Sequence, residues 1–180
     1  MKIGRITVSD RASAGSYADQ SGPEIERILR EAFAVEVECL SVLVPDELPE
    51  IAGALRRLAD QEACELIVTT GGTGISPRDV TPEATREVLD RELPGFGEAM
   101  RRESFGQVKT AILSRATAGT RGRSLILNLP GKPSAVRECL EILLPAVREG
   151  LAHLRGDDPH VQKPQLAVKP NESGKSHVSD

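Results

Sequence analysis

Thr69-Thr70-Gly71-Gly72-Thr73-Gly74, running on through Ile75-Ser76-Pro77-Arg78-Asp79-Val80-Thr81-Pro82-Glu83-Ala84-Thr85, is the stretch on which the reading of this chain turns. The apolar run Leu66-Ile67-Val68 enters it and a helix-start signal leaves it, which predicts a strand, a loop and a helix in succession. Gly71, Gly72 and Gly74 lack Cβ atoms, so the backbone can take positive φ and a ligand can approach it closely. Amide N–H groups in such a loop can face one anion together, and the hydroxyls of Thr69, Thr70 and Thr73 can add to the cradle. Thr81 before Pro82 reads as an N-cap followed by proline at the first helical position, and that helix start favours negative charge beside it. Asp79 is then an odd neighbour for a phosphate unless a cation lies between them, and Mg²⁺ accepts carboxylate and phosphate oxygens together. A tight turn after a strand, with an aspartate serving only the helix start, accounts for the same residues. No Gly-Lys-Ser/Thr follows, so this is not a P-loop, and Pro77 with a late helix start excludes the dinucleotide fingerprint.

Outward from that loop the pattern repeats. Residues 3–8 form an apolar strand that ends in Ser9-Asp10-Arg11-Ala12-Ser13, and residues 13–21 are rich in turn formers and read as mobile. Asp10 either walls a site at a strand end or forms a local ion pair with Arg11. Gly22-Pro23 opens a helix with Ile25, Ile28, Leu29 and Ala32 on its apolar face. Residues 35–44 alternate as a strand and run into Pro45-Asp46-Glu47, ahead of a helix over residues 49–61. Asp46 is thus a cap or turn residue, or the second acid of a metal pair with Asp79. Leu93-Pro94-Gly95-Phe96-Gly97 breaks the chain before a short helix over 98–105, and residues 118–122 read as a flexible link. Arg115, Arg121 and Arg123 could meet an anion or lie on the surface. Residues 124–129 form a buried strand ending in Asn128-Leu129-Pro130-Gly131-Lys132-Pro133-Ser134. Then comes a helix carrying Val136, Leu140, Leu143 or Leu144, Val147 and Leu151. Strands alternating with helices predict an α/β protein, a three-layer α/β/α domain with a mostly parallel sheet.

The 180 residues fit one domain, expected over residues 1–156. Residues 157–180 change to a polar composition without period and read as a disordered tail, in which residues 166–168 could dock as an extended segment. Aromatic residues make up 2% and the net charge is −4, which argues against a nucleic-acid surface. No apolar run spans a membrane and no signal sequence opens the chain, so a cytoplasmic protein is expected. Cys39, Cys64 and Cys139 show no pairing motif, and His153, His160 and His177 all fall late, so neither a zinc site nor a histidine catalyst is expected.

Five segments in this order carry a resemblance: Thr69–Gly74, Arg78–Thr85, Leu93–Gly97, Leu113-Ser114-Arg115 and Asn128–Gly131. Together they resemble the molybdopterin adenylyltransferases of the bacterial Mog type, relatives of the G domains of gephyrin and of the plant molybdenum-insertion protein. The likeness runs over about residues 2–156. It implies a homotrimer that binds molybdopterin and Mg-ATP, transfers AMP to the terminal phosphate of molybdopterin and releases pyrophosphate. The product would pass to the molybdenum-insertion protein. By the same resemblance Asp46 and Asp79 match the family's essential acidic positions, and the loop from Gly71 to Gly74 matches its phosphate-binding segment. Ser9, Asp10, Ser114, Pro130, Gly131, Lys132 and Ser134 match its pocket walls. The chemistry is compatible: a phosphate nucleophile is already anionic, so positioning and charge neutralisation, here by Mg²⁺ held between Asp46 and Asp79, take the place of a strong base. A sister B-type family shares the Gly-Gly-Thr-Gly loop but departs at the Arg78–Thr85 and Asn128–Gly131 segments. It stands as the non-catalytic alternative, beside a gephyrin-like scaffolding module.

Overall fold

The computed structural model describes residues 1–157. Residues 158–180, with nearly all of the expected tail, its docking segment, His160 and His177, lie outside the described residues. Elements follow the chain as β1 (Lys2–Val8), α1 (Asp10–Ser13), α2 (Ser21–Ala32), β2 (Glu38–Val44), α3 (Leu48–Arg56), β3 (Leu66–Thr70) and α4 (Thr81–Val88). They continue as β4 (Arg91–Glu92), α5 (Pro94–Phe105), β5 (Ala118–Arg121), β6 (Ser124–Leu129) and α6 (Pro133–Arg155). The strands form one sheet in the order β2-β1-β3-β6-β5-β4. β2, β1, β3 and β6 are parallel, while β5 and β4 close one edge antiparallel.

Side chains alternate across the strands and so divide the core in two. Ile3, Leu66, Val68, Leu125, Leu127 and Leu129 pack against α2, α5 and α6 through Ile25, Leu29, Met100, Val136, Leu140 and Leu143. Ile6, Val8, Ile67 and Ile126 face the other way, onto Ile51, Leu55 and Leu58 of α3 and its extension and Ala84 and Val88 of α4. Strands buried on both faces explain the continuous apolar runs of β3 and β6, every residue of which is buried. This is the expected three-layer α/β/α architecture. Its parallel strands all end on one side, and the connections there form the rim of the site.

Several boundaries differ from the sequence reading. β2 starts at Glu38, because its register pairs Glu38 with Lys2 and β1 offers no partner further upstream. The helix expected over residues 49–61 is α3 followed by a π-helical turn, Arg57–Gln61. α5 begins at Pro94, since proline and glycine are compatible with a first helical turn as well as with a break. Residues 118–121, expected to be flexible, form β5 in a hairpin with β6; Gly122 turns the chain with φ +53°. Small residues conceal that strand, since Ala118 and Gly119 carry too little apolar surface to mark it. In α6 the buried residue is Leu143 rather than Leu144.

Candidate active site

Four strand-end loops, following β1, β2, β3 and β6, meet at the rim. After β3, Gly71 and Gly72 adopt φ +95° and +61°, and a Cβ on Gly71 would stand 2.3 Å from the Val8 carbonyl oxygen. Only glycine lets the loop cross β1 at that distance. The head of α4 holds the loop from the other side: the Thr81 hydroxyl donates to the Gly71 carbonyl at 2.9 Å and the Thr81 amide donates to the Gly72 carbonyl at 3.1 Å. Thr81 is therefore the first residue of α4 and a clamp on the glycine loop, not the expected N-cap, a place taken by Val80. Beneath it the buried Asn128 amide donates to the hydroxyls of Thr69 and Thr85 at 3.0 and 2.9 Å, which locks β3, β6 and α4 together.

The acids sit around this loop. Asp10 and Asp46 exchange hydrogen bonds: the Asp10 amide donates to Asp46 Oδ2 at 2.8 Å, and the Asp46 amide donates to Asp10 Oδ1 at 3.0 Å. Asp79 accepts from the Ser76 amide at 2.8 Å, and its carboxylate lies against Gly74, where a Cβ would come within 2.9 Å of Oδ2. Arg78 reaches across to Asp10 at 2.9 Å and Glu47 at 2.7 Å. Asp10 thus pairs with Arg78, while Arg11 stacks over the Tyr17 ring, 5.2 Å from its centroid. Arg78 holds the Asp10 carboxyl below its ordinary value, with the Asp46 amide assisting. Burial pushes the Asp46 carboxyl up, and the like charges of Asp10 and Asp79 add to the effect. Asp46 is thus an acid whose charge the fold leaves short of compensation, the condition in which a cation is welcome.

Two cavities open onto the loop. A polar one of about 590 Å³ is lined by Ser9, Asp10, Asp46, Thr70, Gly71, Gly72, Asp79, Gly131 and Lys132 among others. A second, more apolar and about 410 Å³, is lined by Thr73, Gly74, Ile75, Met100, Ser114, Pro130, Gly131 and Lys132 among others. Gly131 and Lys132 belong to both. Among the described residues no side chain pairs with the Lys132 ammonium. Ser134 is exposed in the first turn of α6 and lines neither cavity. No three acidic, histidine or cysteine side chains form a ready metal cage among the described residues. Asp46 and Asp79 could hold a divalent cation only with further oxygens from water or a phosphate, a donor set that suits Mg²⁺.

Other residues are committed elsewhere. Arg115 donates to the Gly74 carbonyl at 2.6 Å and to the Asp79 carbonyl and Glu83, so it braces residues 74–83. Arg121 pairs with Asp60 and Arg123 donates to the Arg155 carbonyl, both away from these cavities. His153 lies 3.4 Å from Glu149 in α6. All three cysteines are free, and burial pushes each thiol up to about 11, which keeps it protonated and inert. Sequence reasoning gave no site role to Ser76, Tyr17, Asp19 or Ser21, all of which line the polar cavity. Their signal was hidden in stretches that read as generic turns.

The sequence matches a known family, described as the probable molybdopterin binding domain, over residues 4–149. The chain is 53% identical over 141 residues to molybdopterin adenylyltransferase of Haemophilus influenzae, covering 78% of this chain and 72% of that protein. It is 51% identical over 145 residues to molybdopterin adenylyltransferase of Helicobacter pylori, covering 81% and 82%. Its fold is similar to the crystal structure of the molybdopterin biosynthesis enzyme MoaB from Thermus thermophilus, with TM-score 0.77 and 47% identity over 86% of this chain and 96% of that one. With a glycine loop, paired acids and two adjoining cavities all inside the matched span, the chain belongs to the molybdopterin-binding domain family.

Proposed function

We propose that this protein adenylylates molybdopterin in molybdenum cofactor biosynthesis, taking AMP from ATP and releasing pyrophosphate. The observation that carries this reading is the pair of cavities that share Gly131 and Lys132 beside the glycine loop. Two substrates seated in the two cavities bring their phosphates together at the shared edge. The Gly71 amide is taken by the Leu129 carbonyl at 3.3 Å, so the amides of residues 72–74 and the Lys132 ammonium there offset the charge that otherwise keeps two phosphates apart. Asp46 and Asp79 would hold Mg²⁺ against the nucleotide phosphates, and the ion would supply charge neutralisation at the α-phosphate. The terminal phosphate oxygen of molybdopterin attacks the α-phosphorus of ATP, the bond to the pyrophosphate oxygen breaks, and no proton need be removed first. That is consistent with two cavities that no histidine lines among the described residues. Arg78 holds Asp10 and Glu47, so that Asp46 is the acid left to face the cation.

The activity is assigned to residues 1–156, working in the cytoplasm as a homotrimer that passes its product to the molybdenum-insertion protein; trimer and partner rest on the family resemblance. Among the described residues no helix is long and apolar enough to cross a membrane. A non-catalytic pterin-binding role draws on the similarity, at 33% identity and TM-score 0.76, to a structure of molybdenum cofactor biosynthesis protein B. One experiment separates the two. Purified protein, molybdopterin, ATP and Mg²⁺ are incubated and the products resolved by chromatography and mass. Adenylylated molybdopterin with equimolar pyrophosphate, abolished by EDTA, is expected. Molybdopterin binding without either product would move the protein to the carrier role.

A further inference from the structure

Residues 14–20 run from α1 to α2 along the edge of the polar cavity, and one carboxylate fastens their end. Arg5 and Thr7 lie on the face of β1 turned toward α2. Arg5 Nη1 donates to Asp19 Oδ2 at 3.1 Å, and the Thr7 hydroxyl donates to the same oxygen at 2.7 Å. Asp19 Oδ1 accepts from the Gly22 amide at 2.9 Å, supplying the helix-end bond that Gln20, at the N-cap position of α2, does not make. The side chains of Arg5 and Asp19 are only 14% and 19% exposed. A Cβ on Gly22 would stand 1.9 Å from Arg5 Nη1, so the first turn of α2 is pressed onto the pair.

That turn places Ser21. Its side chain is buried, and its hydroxyl donates to the Gly131 carbonyl at 2.8 Å, 110 residues away in sequence. From the other side the Thr70 hydroxyl donates to the Pro130 carbonyl at 2.7 Å. A Cβ on Gly131 would meet Gly71 Cα at 3.4 Å, so this segment rests directly on the glycine loop. The next residue is Lys132. A continuous chain of bonds therefore runs from the interior of β1, through Asp19 and Ser21, to the lysine that both cavities share.

We infer that Asp19 is a positioning residue: acting through Ser21 and Gly131, it fixes where the Lys132 ammonium stands relative to the glycine loop. The inference rests on the adenylyl-transfer reading and deepens it. Both Asp19 oxygens are occupied by donors of the protein, and its charge is matched by Arg5, so it serves the substrate through geometry. A misplacement of about 1 Å at a group that neutralises transferring phosphates can lower the rate on the order of 100-fold.

The test is a cycle of Ser21→Ala, Lys132→Ala and their combination, each assayed for kcat and for ATP affinity by calorimetry. Ser21→Ala should lower kcat by about tenfold or more while the unfolding midpoint holds, because the Arg5–Asp19 pair is untouched. In combination with Lys132→Ala it should add less than about twofold, since one group acts through the other. Asp19→Asn should show the same non-additivity with Lys132→Ala; if it fails to fold, the serine cycle alone decides. A kcat within about twofold of wild type for Ser21→Ala, or effects that multiply in the combination, would overturn the inference. If wild-type protein transfers no AMP, the functional reading has failed separately. ATP affinity then reads the relay, with Ser21→Ala weakening binding in the wild-type background but not beside Lys132→Ala.

Discussion

The two ends of the parallel sheet treat charge in opposite ways. At the amino ends of the strands Lys2 meets Glu62 at 3.0 Å and Arg155 meets Glu65 at 2.6 Å, so each of these acids faces a base. At the carboxyl ends Asp10, Asp46 and Asp79 share one cavity, and Arg78 is drawn away to Asp10 and Glu47. Asp46 is left with a carboxyl pushed up by burial and by its like-charged neighbours. The acids at one end are matched within the chain; at the other, Asp46 is left short of a matching positive charge. That difference is the physical argument, independent of any relative, for the proposed site at the carboxyl ends of the strands.

The strongest test of this contrast is catalytic. Asp79→Asn should lower AMP transfer by at least roughly 10²–10³-fold while circular dichroism and molybdopterin binding hold. Glu65→Gln at the opposite end should leave the rate within about twofold. If Asp79→Asn instead unfolds the protein, Asp79 is a loop cap for Ser76 and the contrast loses its catalytic meaning.

Next in size is packing. Leu58 is fully buried beneath β1, where a Cβ on Gly4 would come within 2.8 Å of its Cδ1. Leu58→Ala should cost about 2–5 kcal/mol in denaturant unfolding. Below the midpoint its kcat should stay close to wild type, because the cavity forms away from the rim.

Asp46→Asn should separate function from stability in the other direction. A folded-state carboxyl raised above its unfolded value makes the ionised form a cost at neutral pH, relieved as pH falls through the folded value. The amide carries no such cost and can still accept from the Asp10 amide. At pH 7 the midpoint of the variant should match or exceed that of wild type, and the gap should close on acidification, although transfer is lost. A lower midpoint at pH 7 would show that the Asp46 charge stabilises the rim.

The smallest effect belongs to a satisfied acid. Glu24, bonded by Arg27 and Arg137, is lowered from 4.5 to about 2. A depressed carboxyl adds stability above its ordinary value, and that contribution disappears as pH falls toward the folded value. Thermal midpoints of Glu24→Gln should therefore fall less steeply than wild type between about pH 4.5 and pH 2. Parallel curves would mean the pair contributes nothing measurable.

Much of this was legible in the chain. β3 and β6 announced themselves as apolar runs because they are buried on both faces, and the rim loops did so through glycine, proline and aspartate at strand ends. β5 stayed hidden because Ala118 and Gly119 are held through backbone pairing with β6 rather than through side chains. Asp46 and Asp79 could be named as candidates, since each ends a strand-loop stretch. Arg78 bonds Asp10 across 68 residues, and Ser21 reaches Gly131 across 110. Such partnerships depend on the order β2-β1-β3-β6, which no local pattern records.

The most direct measurement follows the α-phosphate itself. ATP labelled at the α-phosphorus is incubated with molybdopterin, Mg²⁺ and either wild-type protein or Asp79→Asn, and the label is counted in the pterin fraction. Label should appear in molybdopterin with wild type and stay near background with Asp79→Asn, although both bind molybdopterin. Unlabelled molybdopterin bound by wild-type protein, or equal labelling by both, would contradict adenylyl transfer at this rim.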